Sequence, residues 1–267
     1  MSVCSLIQPA DLPDAASCVV FDCRFSLADP EQGRRDYLAG HVPGAHHLDL
    51  NLDLSGPVGR HGGRHPLPRP EVFAATLAGF GVTPSTPVIA YDDSRIAFAS
   101  RLWWLMRSLG YRPPRLLDGG YRGFLSAGGQ PEDAVPPPRP CAVDPVNGFT
   151  GHCDMQELRS AQSRGALLVD SREPRRYQGL EEPIDPVAGH IPGAVNRPWQ
   201  GVTTAEGWVL GEQAQRRHWG DVLQADELVV YCGSGVTACV NLFSLSLLGR
   251  DDATLYAGSW SDWCSYL

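Results

Sequence analysis

One cysteine stands apart from the others because of what surrounds it. Cys232 closes the apolar, β-branched run Leu228-Val-Val-Tyr231 and opens the stretch Cys232-Gly233-Ser234-Gly235-Val236-Thr237-Ala238. The run reads as a buried strand, and the residues from Thr237 to about Leu248 read as a helix. In an open α/β sheet the carboxyl end of a strand is where ligands are held. Gly233 and Gly235 let successive backbone N–H groups turn inward and form an anion-binding concavity at the helix N-terminus. A thiolate at Cys232 is stabilised there, which makes it a nucleophile at neutral pH. Ser234 and Thr237 can add hydroxyl hydrogen bonds, and Gly233, Gly235 and Val236 form the surface that a substrate would meet. An arbitrary cysteine at a strand end is more often a small core residue; the glycine bracket at a strand–helix junction is what distinguishes Cys232.

The elements that must position this loop occur twice. Val19-Val-Phe-Asp22-Cys-Arg24 parallels Leu168-Val-Asp170-Ser-Arg172, each an apolar run ending in Asp-x-Arg. Gly40-His41-Val-Pro-Gly-Ala45 and Gly189-His190-Ile-Pro-Gly-Ala194 differ only by Val against Ile. Pro87-Val-Ile-Ala-Tyr91-Asp92 parallels the run into Cys232, with helices expected over about 97–109 and 237–248. Leu117-Asp-Gly-Gly120-Tyr parallels Tyr256-Ala-Gly258-Ser-Trp260. Four blocks in the same order imply two copies of one α/β unit. Strands alternating with helices imply a mostly parallel sheet, covered by helices on both faces, in each copy. The proline-rich stretch Gln130-Pro-Glu-Asp-Ala-Val-Pro-Pro-Pro-Arg-Pro140 suits an extended linker. The expected division is 1–130, a linker at 131–145, and 146–267.

The bulk composition narrows the function classes. Of the 267 residues 43% are hydrophobic and 19% charged, enough apolar surface for two cores and too little charge for a largely disordered chain. A formal net charge of −8 gives no electrostatic reason to expect nucleic acid or an anionic membrane as partner, though it leaves room for a local basic pocket. No apolar run approaches the roughly 20 residues that cross a bilayer. The start, Met1-Ser-Val-Cys-Ser-Leu-Ile, lacks the basic flank and apolar core of a secretory signal. The expectation is a soluble, cytoplasmic protein. Eight cysteines without a CxxC pair read as reduced thiols rather than a disulfide framework or zinc site.

Cys232-Gly-Ser-Gly-Val-Thr-Ala238, the two His-(Val/Ile)-Pro-Gly-Ala boxes, Leu117-Asp-Gly-Gly120 and Gly258-Ser-Trp260 together resemble the rhodanese superfamily, over essentially the whole chain. The loop resembles that of its mercaptopyruvate branch; thiosulfate sulfurtransferases of the superfamily carry Arg and Lys at the positions of Gly233 and Ser234. The resemblance implies a sulfurtransferase that takes sulfane sulfur from 3-mercaptopyruvate onto Cys232 as a persulfide. A thiol, a thioredoxin-like protein or cyanide then accepts it, with no metal or organic cofactor. Thiosulfate as donor and a non-catalytic binding or sensor module are the alternatives. Asp92 in the position of Cys232 implies that the first copy is inert. Phosphatase chemistry of similar architecture needs a longer loop closed by Arg, whereas here Ala238 and Cys239 follow.

The resemblance also implies roles outside the loop. Arg172, and Arg176 in competition with Arg175, would bind the substrate's carboxylate and carbonyl oxygens, a task suited to the planar guanidinium fork. His41 would join Ser234 in a catalytic relay with an acidic residue, Glu31 or Asp36; since both copies keep the histidine, fold maintenance explains His41 and His190 more economically. Gly59-Arg-His-Gly-Gly-Arg-His-Pro66 could be a flap over the site or a surface loop. His61 and His65 have a metal-like spacing, but such ligands share a face only on a helix, and the glycines argue against one. Trp260 and Trp263 fit pocket wall or core alike, and turn or cap roles suffice for Asp22 and Asp170.

Overall fold

The computed structural model describes residues 5–14 and 17–267; Cys4 and the start of the chain, on which the reading of the leader rests, lie outside the described residues. The first half runs β1 (Leu6–Ile7), β2 (Val19–Asp22), α1 (Gln32–Ala39), β3 (Ala45–His47), α2 (Pro70–Gly79), β4 (Val88–Tyr91), α3 (Ala99–Ser108), β5 (Arg115–Leu117) and α4 (Gly120–Ser126). The second runs β6 (His152–Cys153), α5 (Met155–Ser163), β7 (Leu167–Asp170), α6 (Pro174–Tyr177), β8 (Val195–Asn196), α7 (Glu212–Trp219), β9 (Leu228–Tyr231), α8 (Ala238–Leu247), β10 (Thr254–Tyr256) and α9 (Ser259–Cys264). Local chemistry sets these boundaries. Pro70 opens α2, where its missing N–H costs nothing. Asp154 and Glu157 form a reciprocal capping box on α5. All four residues of β4 and of β9 are buried, as continuous apolar strands in a covered parallel sheet must be.

Each half builds a five-stranded, wholly parallel sheet, in the orders β1-β5-β4-β2-β3 and β6-β10-β9-β7-β8. The orders are the same once strands are matched copy to copy, so the repeat seen in the sequence is a repeat of topology. Asp22 lies in register with Tyr91 and Asp170 with Tyr231. The loops carrying Asp92 and Cys232 therefore leave the central strand at the same point.

The chain divides into two compact units, but not at the linear boundaries expected from the sequence. The first comprises the described residues up to Gly56, Pro68–Thr150 and Thr203–Val209; the second comprises Pro57–Leu67, Gly151–Val202 and Leu210–Leu267. The 131–145 stretch belongs to the first unit: His41 and Glu132 form an antiparallel bridge, and the Cys141 N–H donates to Ala78 O at 2.9 Å. Proline denies this stretch regular structure without preventing it from packing. Thr203–Val209 is held in the first unit by Arg95 donating to Thr203 Oγ1 (2.9 Å) and Val209 N–H donating to Asp118 Oδ1 (2.8 Å).

A buried polar node recurs in both units. In the first, Asp22 takes the Arg24 guanidinium on both carboxylate oxygens, with Nη2–Oδ2 at 2.6 Å, and Arg24 also donates to Gly40 O at 2.7 Å. Tyr91 Oη donates to Asp22 at 2.7 Å and accepts the Val42 N–H at 3.1 Å. In the second, Arg172 grips Asp170 the same way (2.7 Å) and donates to Gly189 O (2.6 Å), while Tyr231 Oη accepts the Ile191 N–H at 3.1 Å. Arg24 lies over the Tyr121 ring and Arg172 over the Trp260 ring, at 4.0 and 4.8 Å. The Asp-x-Arg and Gly-His-x-Pro-Gly-Ala motifs are thus two sides of one joint between the sheet and the turn beside it.

The first unit answers the Cys232 loop with a carboxylate. Asp92 Oδ1 accepts the N–H groups of Ser94 (2.7 Å) and Ile96 (3.0 Å), and Oδ2 those of Phe98 and Ala99 (2.8 Å each). These bonds hold Arg95 and Ile96 at a φ of +61°, a conformation uncommon for side-chain-bearing residues. Burial pushes the Asp92 carboxyl up to about 6, against the pull of its amide donors. Asp92→Ala leaves those buried amides without their acceptor and should destabilise the protein by at least about 2 kcal/mol in denaturant unfolding. Arg24→Ala and Arg172→Ala should each cost about 3–5 kcal/mol in the same measurement, because each strands a buried carboxylate. A small cost for Arg172→Ala beside a large one for Arg24→Ala would break the equivalence of the two nodes.

Candidate active site

The Cys232 loop is pinned by the start of α9. The Cys232 N–H donates to Ser259 Oγ at 3.1 Å, the Cys232 carbonyl accepts from the Trp260 N–H at 3.0 Å, and the Gly233 carbonyl accepts from the Ser261 N–H at 2.9 Å. Ser259 is fully buried at a φ of +56° and donates its own hydroxyl to Tyr256 O. Such strain in a side-chain-bearing residue persists only where the surroundings over-determine it. Gly235, at a φ of +76°, turns its N–H onto Cys232 Sγ at 3.2 Å. A Cβ there would lie 2.2 Å from Ala257 O, so the site requires glycine. Val236 is buried, and Thr237 takes the N-cap position of α8 without a side-chain capping bond.

Pro57–Leu67, which precedes α2 in the chain, packs in the same unit as this loop. His61 Nδ1 lies 2.7 Å from Ser265 Oγ with its ring stacked on Tyr266, and the Gly62 N–H donates to Asp262 at 2.7 Å. Gly63, at a φ of +78°, passes so close to Gly258 O that a Cβ would stand 2.4 Å away. The next two residues then reach Asp185 and the Cys232 loop. Arg64 pairs with Asp185, and His65 Nδ1 lies 2.8 Å from Ser234 Oγ. Both of these side chains were missed as site residues in the sequence; the glycine-rich basic string around them was the available signal. His61 and His65 are engaged separately, not as a metal pair.

Three expectations change. His41 is fully buried, with Nδ1 on Tyr37 O at 2.8 Å and its ring stacked on Tyr37; His190 repeats this with Tyr177 at 2.7 Å. The acidic group near His41 is Glu132, 3.9 Å from Nε2, rather than Glu31 or Asp36. The histidine that meets Ser234 is His65, so the relay role leaves His41 and fold maintenance explains it. Arg172 is 1% exposed and committed to Asp170, Glu182 and Gly189 O, as Arg24 is in the unit that lacks the cysteine. It is part of the frame, not a substrate ligand. Trp260 likewise belongs to the frame, donating from its indole to Val187 O at 2.9 Å beneath Arg172.

Arg176 does face the loop, whereas Arg175 points outward onto exposed Glu181. Arg176 donates to Glu182 at 2.8 Å and Asp185 at 3.2 Å. A Cβ placed on Gly233 would stand 3.2 Å from Arg64 Nη2 and 3.4 Å from Arg176 Nη1. Burial works against ionisation of Glu182, but the Arg176 hydrogen bond and charge more than offset it and hold that carboxyl below the usual range. At Asp185 burial wins over Arg64 and pushes the carboxyl up. The loop itself carries no charge, yet two guanidiniums flank it. Elsewhere burial makes thiols inert, pushing Cys153 up to about 12 and Cys264 to about 11. A cavity of about 840 Å³ opens between His61, His152, Arg159 and Tyr266, and Cys232 is not in its wall.

A cysteine sulfur met by an inward amide, a Ser–His pair and two guanidiniums would suit nucleophilic attack on an anionic substrate. The sequence matches the family described as Rhodanese-like domain twice, over residues 7–127 and 154–266. It is 44% identical over 258 residues to a Pseudomonas aeruginosa protein named "Probable 3-mercaptopyruvate sulfurtransferase", covering 92% of this chain and 88% of that one. It is 31% identical over 254 residues to the thiosulfate sulfurtransferase of Rattus norvegicus, covering 91% of this chain and 84% of that one. The solved structure of 3-mercaptopyruvate sulfurtransferase from Leishmania major superposes with a TM-score of 0.87 at 32% identity, over 100% of this chain and 76% of that one. The chain belongs to the rhodanese-like domain family, which it matches once in each half.

Proposed function

We propose that this protein is a sulfurtransferase that moves sulfane sulfur from 3-mercaptopyruvate, through a persulfide on Cys232, to a thiol or cyanide. The observation that carries the reading is the Gly235 N–H aimed at Cys232 Sγ in a loop where Ser234 meets His65. In the first half-reaction the Cys232 thiolate attacks the donor sulfur. The S–S bond forms as the C–S bond breaks, and its electron pair leaves on the pyruvate enolate. The enolate carbon takes a proton from Ser234, which His65 relays from the donor's thiol or from water. The persulfide anion is held by the inward amide. In the second half-reaction an acceptor thiolate or cyanide attacks the outer sulfur, and the S–S electrons return to Cys232 as thiolate.

Thiosulfate is the second reading, and one observation favours it. Arg64 and Arg176 supply beside Gly233 the cations that the loop itself lacks, so a neutral loop alone does not exclude a sulfonate donor. The 44% identity to the Pseudomonas aeruginosa protein, against 31% to the rat thiosulfate sulfurtransferase, together with the Ser234–His65 pair suited to an enolate leaving group, keeps mercaptopyruvate first. None of the seven described cysteines is in a disulfide, in keeping with a reducing cytoplasm; a small thiol or a thioredoxin-like protein is the acceptor in this reading. Among the described residues no helix is long and apolar enough to cross a membrane.

Incubation with 3-mercaptopyruvate should add the mass of one sulfur to the protein and release one pyruvate, and Cys232→Ser should do neither while keeping its fold. Turnover remaining in that variant would remove Cys232 from the mechanism. Parallel kinetics with thiosulfate rank the donors by kcat/KM. His65→Ala and Ser234→Ala should each lower kcat with mercaptopyruvate by about 10²-fold. The double variant should lose little more than either alone, since the two groups act as one; additive losses would separate them.

A further inference from the structure

We infer that Arg64 is a second substrate-binding arginine, which with Arg176 forms a two-guanidinium clamp for the carboxylate of a 2-oxo acid donor. The inference rests on the sulfurtransferase reading and deepens it. Its basis is the way one carboxylate spaces the two cations. Asp185 receives Arg64 Nη1 on Oδ1 and Arg176 Nη2 on Oδ2. Beyond those bonds, Arg64 Nη2 stands 3.2 Å and Arg176 Nη1 and Nη2 3.4 and 3.5 Å from where a Gly233 Cβ would be. Gly233 carries no side chain, so both guanidiniums can come this close to its backbone, and it adjoins Cys232 in the chain.

The layering favours ligand binding over a closed ion pair. The Asp185 and Glu182 side chains are 1% and 3% exposed, whereas those of Arg64 and Arg176 are 30% and 14% exposed. The acids form the buried backing and the guanidiniums the layer that solvent reaches. Asp185 bridges two forks as a substrate carboxylate would, and so sets their spacing. Charge-assisted bonds of this kind, one from each guanidinium to each carboxylate oxygen, suit a substrate carboxylate. Arg64 and His65 are consecutive and address Gly233 and Ser234, also consecutive. One segment thereby delivers both a carboxylate ligand and the proton relay to a substrate lying along the loop.

The test is steady-state kinetics of the full chain with Arg64→Ala and Arg64→Lys, using pyruvate as a competitive probe of the carboxylate site. Arg64→Ala should raise KM for 3-mercaptopyruvate and Ki for pyruvate in parallel, by about tenfold or more, as expected for losing a charge-assisted hydrogen bond. Its kcat should stay within about threefold of wild type. Arg64→Lys, a point charge without the fork, should recover part of the loss. Unchanged KM and Ki would overturn the assignment. So would a loss confined to kcat, which would mean that Arg64 only anchors the segment carrying His65. Wild-type protein that forms no persulfide from 3-mercaptopyruvate would instead overturn the donor reading, so the two failures are distinct.

Discussion

A carboxylate buried at the end of a central strand must be answered by a cation, and that requirement organises each half of this molecule. Asp22 and Asp170 are fully buried, and neither could stay there as an unpaired ion. The arginine two residues on turns back to supply the bidentate partner, and its remaining donors tie down the carbonyl of Gly40 or Gly189. The tyrosine in register on the neighbouring strand closes the circuit onto the backbone after the conserved-in-both-copies histidine. Strand end, neighbouring strand and adjacent turn are locked by one network. The loops after β4 and β9 start from that locked point.

From the same start the two copies solve the same electrostatic problem differently. Backbone amides turned inward at a strand–helix junction need an anion or a strong acceptor. In the first unit Asp92 supplies it internally, and four short amide bonds make its loop self-contained. In the second the side chain is a thiol, met at 3.2 Å by the Gly235 amide. The two units thus keep the same frame around different loops, one closed on a carboxylate and one carrying a cysteine. The left-handed backbone that Arg95 adopts under the grip of Asp92 is adopted by glycine at position 235, where Ala257 leaves no room for more.

The cations of the site arrive from outside the loop. Arg176 comes from the short helix after the buried node, and Arg64 from an irregular, glycine-rich segment that bends at Gly62 and Gly63. Because Gly63 can pass against Gly258, the segment comes close enough for adjacent side chains to meet adjacent loop residues. The charge around Cys232 is therefore a property of three chain segments, with Asp185 and Glu182 as the buried counterions that fix where the arginines stand.

Period, repetition and turn chemistry made the parallel sheets, the paired Asp-x-Arg strands, the Asp92 that stands where the other copy has Cys232, and the glycine-bracketed Cys232 itself legible from residue order, because each depends on neighbours close in the chain. The helices expected near 97–109 and 237–248 are found at Ala99–Ser108 and Ala238–Leu247 for the same reason. Partners distant in the chain were not legible. Nothing local distinguishes Arg172, sealed against Asp170, from Arg176, which reaches the loop, since both follow the same strand. Nor does local sequence show that Ser234 meets His65 rather than His41, since a histidine in a repeated motif and one in a glycine-rich string look equally available. Burial decides the first difference and a hydrogen bond between residues 169 positions apart decides the second, and only the folded chain settles either.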